Sequence, residues 1–133
     1  MSESTESPPT HEPAIRVTAM PQDTNPYGDI FGGWLMAQMD LAAASVASRH
    51  SGGRASTVAV DAMAFHRPVA IGDEVSVYAK LVAVGRTSMK VDVEAWRRTR
   101  NENVFHKVTQ AQFTFVAIGE DRQKRVVPPM VQN

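Results

Sequence analysis

Cysteine is absent from the 133-residue chain, which excludes disulfides, thiolate-held zinc, iron–sulfur clusters and a cysteine nucleophile. Neither charge sign is in excess: fourteen Lys and Arg stand against fourteen Asp and Glu, for a formal net charge of zero. Nucleic-acid binders normally carry a basic excess or stripe, so nucleic acid is not an expected partner. There is also no apolar run of about 18 residues, the length a membrane-spanning helix needs. The polar, acidic start Met1-Ser2-Glu3-Ser4-Thr5-Glu6 lacks the charged-then-apolar layout of a signal peptide. A cytoplasmic protein without a membrane span is the resulting expectation. The remaining composition, 43% hydrophobic and 21% charged, suits one globular domain whose copies repel one another little.

Residues 1–13 hold three Glu, three Ser and three Pro and no large aliphatic side chain after Met1, the composition of a disordered tail. Residues 129–133, after Pro128, read as a second tail, which leaves 14–128 as the domain. Within it, residues 33 to about 50 suit a helix, with Trp34, Leu35, Met36, Met39, Leu41, Val46 and five alanines placed almost all the way round. Gly52-Gly53 is a plausible stop. Strands are expected at 15–20, 55–65, 74–84, 87–98 and 104–118. Period-two alternation is clearest in Val75, Val77, Ala79, Leu81 and in Met89, Val91, Val93, Ala95. Gly85, between the third and fourth of these, is expected to turn a hairpin with a positive φ. The class is therefore α+β: an antiparallel sheet of about five strands curved around one long helix. A sheet covers one side of a helix, and apolar residues on the other side call for a second copy, so a homodimer is expected.

Asp40 is a lone carboxylate in a helical stripe of Met36, Ala37, Ala43, Ala44 and Ala47. A partly desolvated carboxylate can serve as general base; the plainer alternative is a helix-edge Asp hydrogen-bonded to a neighbouring strand. The segment entering the helix, Asn25-Pro26-Tyr27-Gly28-Asp29-Ile30-Phe31-Gly32-Gly33, puts bare N–H groups at the positive end of the helix dipole. Such amides could hold an oxyanion, or could simply belong to a tight turn. Gly32 and Asp40 are eight residues apart, about 12 Å along the axis, too far to serve one carbonyl carbon. Two antiparallel copies of the helix would bring the glycine end of one to the aspartate of the other. Arg86, flanked by Thr87 and Ser88, is the leading candidate for a phosphate contact, with Arg67 second. The histidines His11, His50, His66 and His106 have no metal-ligand spacing, and no metal is expected.

Several blocks carry a resemblance. They are Met20-Pro21-Gln22-Asp23-Thr24-Asn25, Gly28-Asp29-Ile30-Phe31-Gly32-Gly33-Trp34, Gln38-Met39-Asp40, Thr57-Val58-Ala59-Val60-Asp61, Val84-Gly85-Arg86-Thr87-Ser88 and Phe113-Thr114-Phe115-Val116-Ala117, with Phe65, Pro68 and Gly72-Asp73 between them. Together they resemble the hot dog-fold acyl-CoA thioesterases of the YciA-like and brain-type acyl-CoA hydrolase family. The resemblance implies hydrolysis of acyl-CoA to coenzyme A and a carboxylic acid, with no cofactor beyond the coenzyme A of the substrate. It implies Asp40 as general base or nucleophile, Asn25 as a positioning group from the other subunit, and the Gly32-Gly33 amides as the carbonyl's donors. It strengthens Arg86, Thr87 and Ser88 as coenzyme A contacts more than Arg67. Met36 and Met39, beside Asp40, and Phe65 are the candidates to line an acyl pocket. The resemblance also implies a dimer as minimal unit, often assembled as a trimer of dimers. A hot dog-fold hydratase or dehydratase would use a histidine before the helix, and residues 21–33 contain none. A non-catalytic acyl-CoA-binding domain would not need Asp40.

Overall fold

The computed structural model describes residues 6–131. The elements run β1 (Ile15–Thr18), a single 3₁₀ turn (Pro21–Asp23), α1 (Gly32–Ser51), β2 (Ala55–Asp61), β3 (Glu74–Val84), β4 (Ser88–Arg98) and β5 (Phe105–Ala117). All five strands form one antiparallel sheet in the order β1-β3-β4-β5-β2, which curls around α1. The helix stops at Gly52, whose φ of 73° is the left-handed conformation that glycine adopts without a Cβ penalty. Among the described residues no helix is long and apolar enough to cross a membrane.

One side of α1 carries the core. Leu35, Met39, Ala42, Ala43 and Ala47 are buried against Val75, Val77, Met89, Val91, Val93, Ala95, Phe113 and Phe115 of the strands. The alanines let the helix backbone approach the sheet closely, while the branched and aromatic residues on the sheet fill the remaining depth. The opposite side of the helix is uncovered. Met36 and Leu41 are 39% and 60% exposed, and Val58 and Val60 of neighbouring β2 are 57% and 37% exposed. Strand β2 is also an edge strand, so its outer backbone groups meet no strand among the described residues.

Two sequence expectations shift. The second strand ends at Asp61 rather than continuing to residue 65, because Ala62 takes a φ of 49° that breaks the extended run. Strand β2 pairs with β5, and the 62–73 connection carries the chain across to β3. Gly85 turns its hairpin through a Gly85 N–H to Ser88 carbonyl bond without a positive φ. The expected N-terminal tail lies partly outside the described residues; its remainder, 6–13, has no regular structure and runs over the outer face of the sheet, where His11 meets Tyr78.

The helix C-terminus is held from the far end of the chain. Arg125 donates from Nη1 to the Ser51 carbonyl at 2.7 Å, from Nη2 to Ser51 Oγ and the Arg54 carbonyl at 3.1 Å each, and from Nε to the Ile118 carbonyl at 3.2 Å. A cation there also meets the negative end of the helix dipole. Replacing Arg125 by Ala leaves these acceptors without their donor, and urea denaturation is expected to show a loss of about 1–3 kcal/mol. An unchanged midpoint would mean that water replaces the guanidinium at no cost.

Candidate active site

The loop before α1 is built around Asn25. An antiparallel bridge joins Thr24 to Ile30, and residues 25–29 form the turn between them. The Gly28 N–H donates to the Asn25 carbonyl at 3.0 Å, the Asn25 N–H to the Asp29 carbonyl at 2.6 Å, and Gly28 has a φ of 86°. The Asn25 side chain completes the turn, with Oδ1 accepting from the N–H of Tyr27 at 2.9 Å and of Asp29 at 3.1 Å. Both partners are donors, so the amide oxygen must face the loop and the NH₂ must face away. Among the described residues no acceptor takes that NH₂. Asn25 is thus half-buried, fixed by its acceptor and free to donate.

The loop delivers the helix start with its amides open. The Phe31 carbonyl accepts from Trp34 at 3.1 Å and from Leu35 at 3.3 Å, whereas among the described residues no acceptor takes the Gly32 or Gly33 N–H. A Cβ at Gly33 would meet nothing within 4 Å, and one at Gly32 would only touch the Phe65 ring at 3.5 Å. Neither glycine has a positive φ. Among the described residues nothing therefore requires glycine at these two positions; what the missing side chains preserve is access to the amides from outside. Gly32 opens onto a pocket of about 250 Å³ walled by Ile30, Phe31, Leu35, Phe65, Arg67 and Val108, among others.

Asp40 lies in a different place. Gly33, Met36, Ala37 and Asp40 follow one another along the uncovered side of α1 at the three- and four-residue steps of a helical face. With Thr57, Val60 and Phe113 they line an open groove of about 330 Å³. Thr57 Oγ1 donates to Asp40 Oδ1 at 2.6 Å, so the aspartate is hydrogen-bonded to a neighbouring strand and half-buried at once. One carboxylate oxygen is held, and among the described residues no donor takes Oδ2. A bulge between Thr57 and Ala59 makes this possible. In a regular strand residues three apart point to opposite faces; the extra residue, Val58, resets the alternation so that Thr57 and Val60 both line the groove. Period-two alternation has no signal for such a bulge, and so local pattern does not mark Thr57 as a functional residue.

The other expected residues divide. Met36 lies beside Asp40, and Phe65 beside Gly32 in the second pocket. Met39 lines neither and is fully buried in the core, since it stands about 100° round the helix from Asp40, on the sheet side. Within one protomer the three side chains expected to line an acyl pocket thus form no common wall. Arg67 stands at the Gly32 pocket, donating to the Lys107 carbonyl at 2.6 Å and pairing with Glu6 at 3.2 Å. Arg86, Thr87 and Ser88 form the β3–β4 hairpin and line neither pocket. Their strand neighbours, Val116 and Ala117, also border Ala55 and Ser56, which places the hairpin near the C-terminal end of α1.

Comparison with known proteins adds a family to this geometry. Residues 27–104 match the model of the thioesterase superfamily. A protein of Zymomonas mobilis named as an uncharacterized acyl-CoA thioester hydrolase is 58% identical over 122 residues, covering 92% of this chain and 82% of its own. The acyl-CoA thioester hydrolase YciA of Escherichia coli K12 is 42% identical over 127 residues, covering 93% and 96%. Among solved structures, a hexameric thioesterase from Yersinia pestis superposes with a TM-score of 0.86 at 42% identity, covering 92% of this chain and 99% of that one.

The two ends of the Asn25 amide can be separated by substitution. Asn25→Ala removes the acceptor that closes the loop and is expected to cost about 1–2 kcal/mol in chemical denaturation, whereas Asn25→Asp keeps an oxygen for both N–H groups and costs clearly less. Equal losses would show that Oδ1 does not hold the turn.

Proposed function

This chain belongs to the thioesterase superfamily, and from that premise we propose that it hydrolyses acyl-CoA thioesters at a site completed by a second copy of itself. One observation carries the proposal: a carboxylate anchored on one oxygen stands in an open groove, and the free amides of the same helix lie about 12 Å away, beyond the reach of one carbonyl. The uncovered helix side and the open edge of β2 supply the surface on which a partner would dock head-to-tail. In that arrangement the Gly32-Gly33 amides and the Asn25 NH₂ of one protomer meet the Asp40 of the other. The catalytic domain is residues 14–128. The minimal unit is a homodimer, assembled as a trimer of dimers; the Yersinia pestis relative is described as hexameric.

The reaction follows from the groups. Asp40 Oδ2 takes a proton from water while the water oxygen attacks the thioester carbon. Negative charge gathers on the carbonyl oxygen, where the amide donors hold it. The C–S bond then breaks, and the thiolate of coenzyme A recovers the proton from Asp40. A thiol leaves readily as its anion, so the step draws on no metal or further cofactor. Thr57 fixes the carboxylate with Oδ2 turned to the water. Antiparallel helices also bring the Arg86-Thr87-Ser88 hairpin, near the C-terminal end of one α1, toward the Gly32 end of the other. There it joins Arg67 in binding the phosphates of coenzyme A. Met36 and Phe65, apart in one protomer, then share an acyl-binding wall across the interface.

Asp40→Asn is expected to lower kcat at least about a hundredfold with KM little changed, and Thr57→Val about tenfold, both followed by thiol release from a panel of acyl-CoAs. Full turnover by Asp40→Asn would remove the aspartate from the reaction.

A further inference from the structure

The segment 6–13 is a strap with a fixed root and a charged tip. At the root the Ala14 N–H donates to the Val77 carbonyl at 2.8 Å, continuing the pairing of β1 with β3. Midway, His11 stands edge-on to Tyr78, with ring centroids 5.6 Å apart and planes at 88°. Tyr78 follows inward-facing Val77 and so belongs to the outer face of the sheet, yet it is only 6% exposed. Pro8, Pro9 and Pro13 restrict the chain before it folds, so laying it down loses little entropy. At the tip, Glu6 Oε1 lies 3.2 Å from Nη1 of Arg67.

Arg67 is an unusual place for that tip to rest. It is the cationic member of the pocket onto which Gly32 opens, and among the described residues that wall this pocket none is Asp or Glu. Its Nη1 is also bound to the Lys107 carbonyl, which steadies the guanidinium on β5. The charge at this rim is therefore met by a carboxylate brought from outside the pocket by the strap.

We infer that Glu6 is an internal stand-in for an anionic group of the substrate, a phosphate of coenzyme A, and that the strap yields Arg67 when substrate docks. The inference rests on the reading of the chain as an acyl-CoA hydrolase and adds to it an intramolecular competitor and the residue for which it competes. The ion pair is suited to displacement. Both side chains are about a third exposed, 34% and 36%, where solvent screens the attraction. A phosphate offers more charge and more acceptor oxygens than a carboxylate and can engage the guanidinium through two parallel bonds, so it outcompetes Glu6. Occupancy of Arg67 by the strap lowers the fraction of binding-competent protein and raises the apparent KM in proportion.

The test compares the full-length chain with Glu6→Gln, on acyl-CoA and on the matching acyl-pantetheine, which has no phosphate. Coenzyme A binding is measured alongside by calorimetry. Glu6→Gln is expected to lower KM for acyl-CoA, and Kd for coenzyme A, by about two- to fivefold, the scale of an exposed ion pair. Its kcat, and its KM for acyl-pantetheine, should stay unchanged. In the background of Arg67→Gln, which keeps a donor for the Lys107 carbonyl, the Glu6 effect should vanish. An unchanged KM, or an equal change with both substrates, overturns the inference while leaving the hydrolase reading in place. Tighter coenzyme A binding by Glu6→Gln in a chain that cleaves no thioester would uphold the inference and overturn the hydrolase reading.

Discussion

The geometry of a single helix constrains everything else in this protein. Eight residues of α-helix separate the Gly32 amide from Asp40, a rise of about 12 Å that no side-chain rotamer bridges. The helix presents Asp40 on the side that the sheet leaves open, together with Gly33, Met36, Leu41 and the outward residues of β2, while Gly32 opens onto a separate pocket at the helix start. Exposed apolar surface and incomplete chemistry thus coincide on one face. In the proposed function a second copy laid antiparallel covers the first and completes the second, so that association is part of the catalytic apparatus.

The parts of the site are stabilised by different means. Asn25 spends its acceptor on the loop and keeps its donor, and Asp40 gives one oxygen to Thr57 and keeps the other. In each case a fixed hydrogen bond orients the side chain while the free atom faces outward, which is the preorganisation that electrostatic catalysis needs. Arg125 separately fixes the C-terminal end of α1 through its bonds to Ser51.

Much of this was legible in the sequence. Period-two alternation in Val75, Val77 and Met89, Val91, Val93, the all-round apolar helix and the Gly52 stop gave the α+β architecture, and the blocks around Asn25, Gly32-Gly33 and Asp40 gave its hot dog form and the family. The misses have physical causes. Ala62 ended β2 early through a backbone conformation that its residue type does not announce. The bulge at Val58 broke the alternation and put Thr57 on the same face as Val60, beside Asp40, which period-two reading does not anticipate. Met39 shared a helical neighbourhood with Asp40 but lay a quarter-turn or so toward the sheet, in the core. The pairing of Arg67 with Glu6 joins segments about sixty residues apart through the curvature of the sheet, and local pattern carries no trace of it.

The central claim, that one active site draws on two protomers, is tested most directly by mixing two inactive chains. Asp40→Ala lacks the carboxylate, Asn25→Asp lacks the amide donor, and each is expected to be inert as a pure homodimer. Unfolded and refolded together in equal amounts, they should recover about a quarter of wild-type activity, because half the dimers are mixed and half the sites in each mixed dimer are intact. No recovery in verified mixed dimers, or full activity in an isolated wild-type protomer, would contradict the shared site.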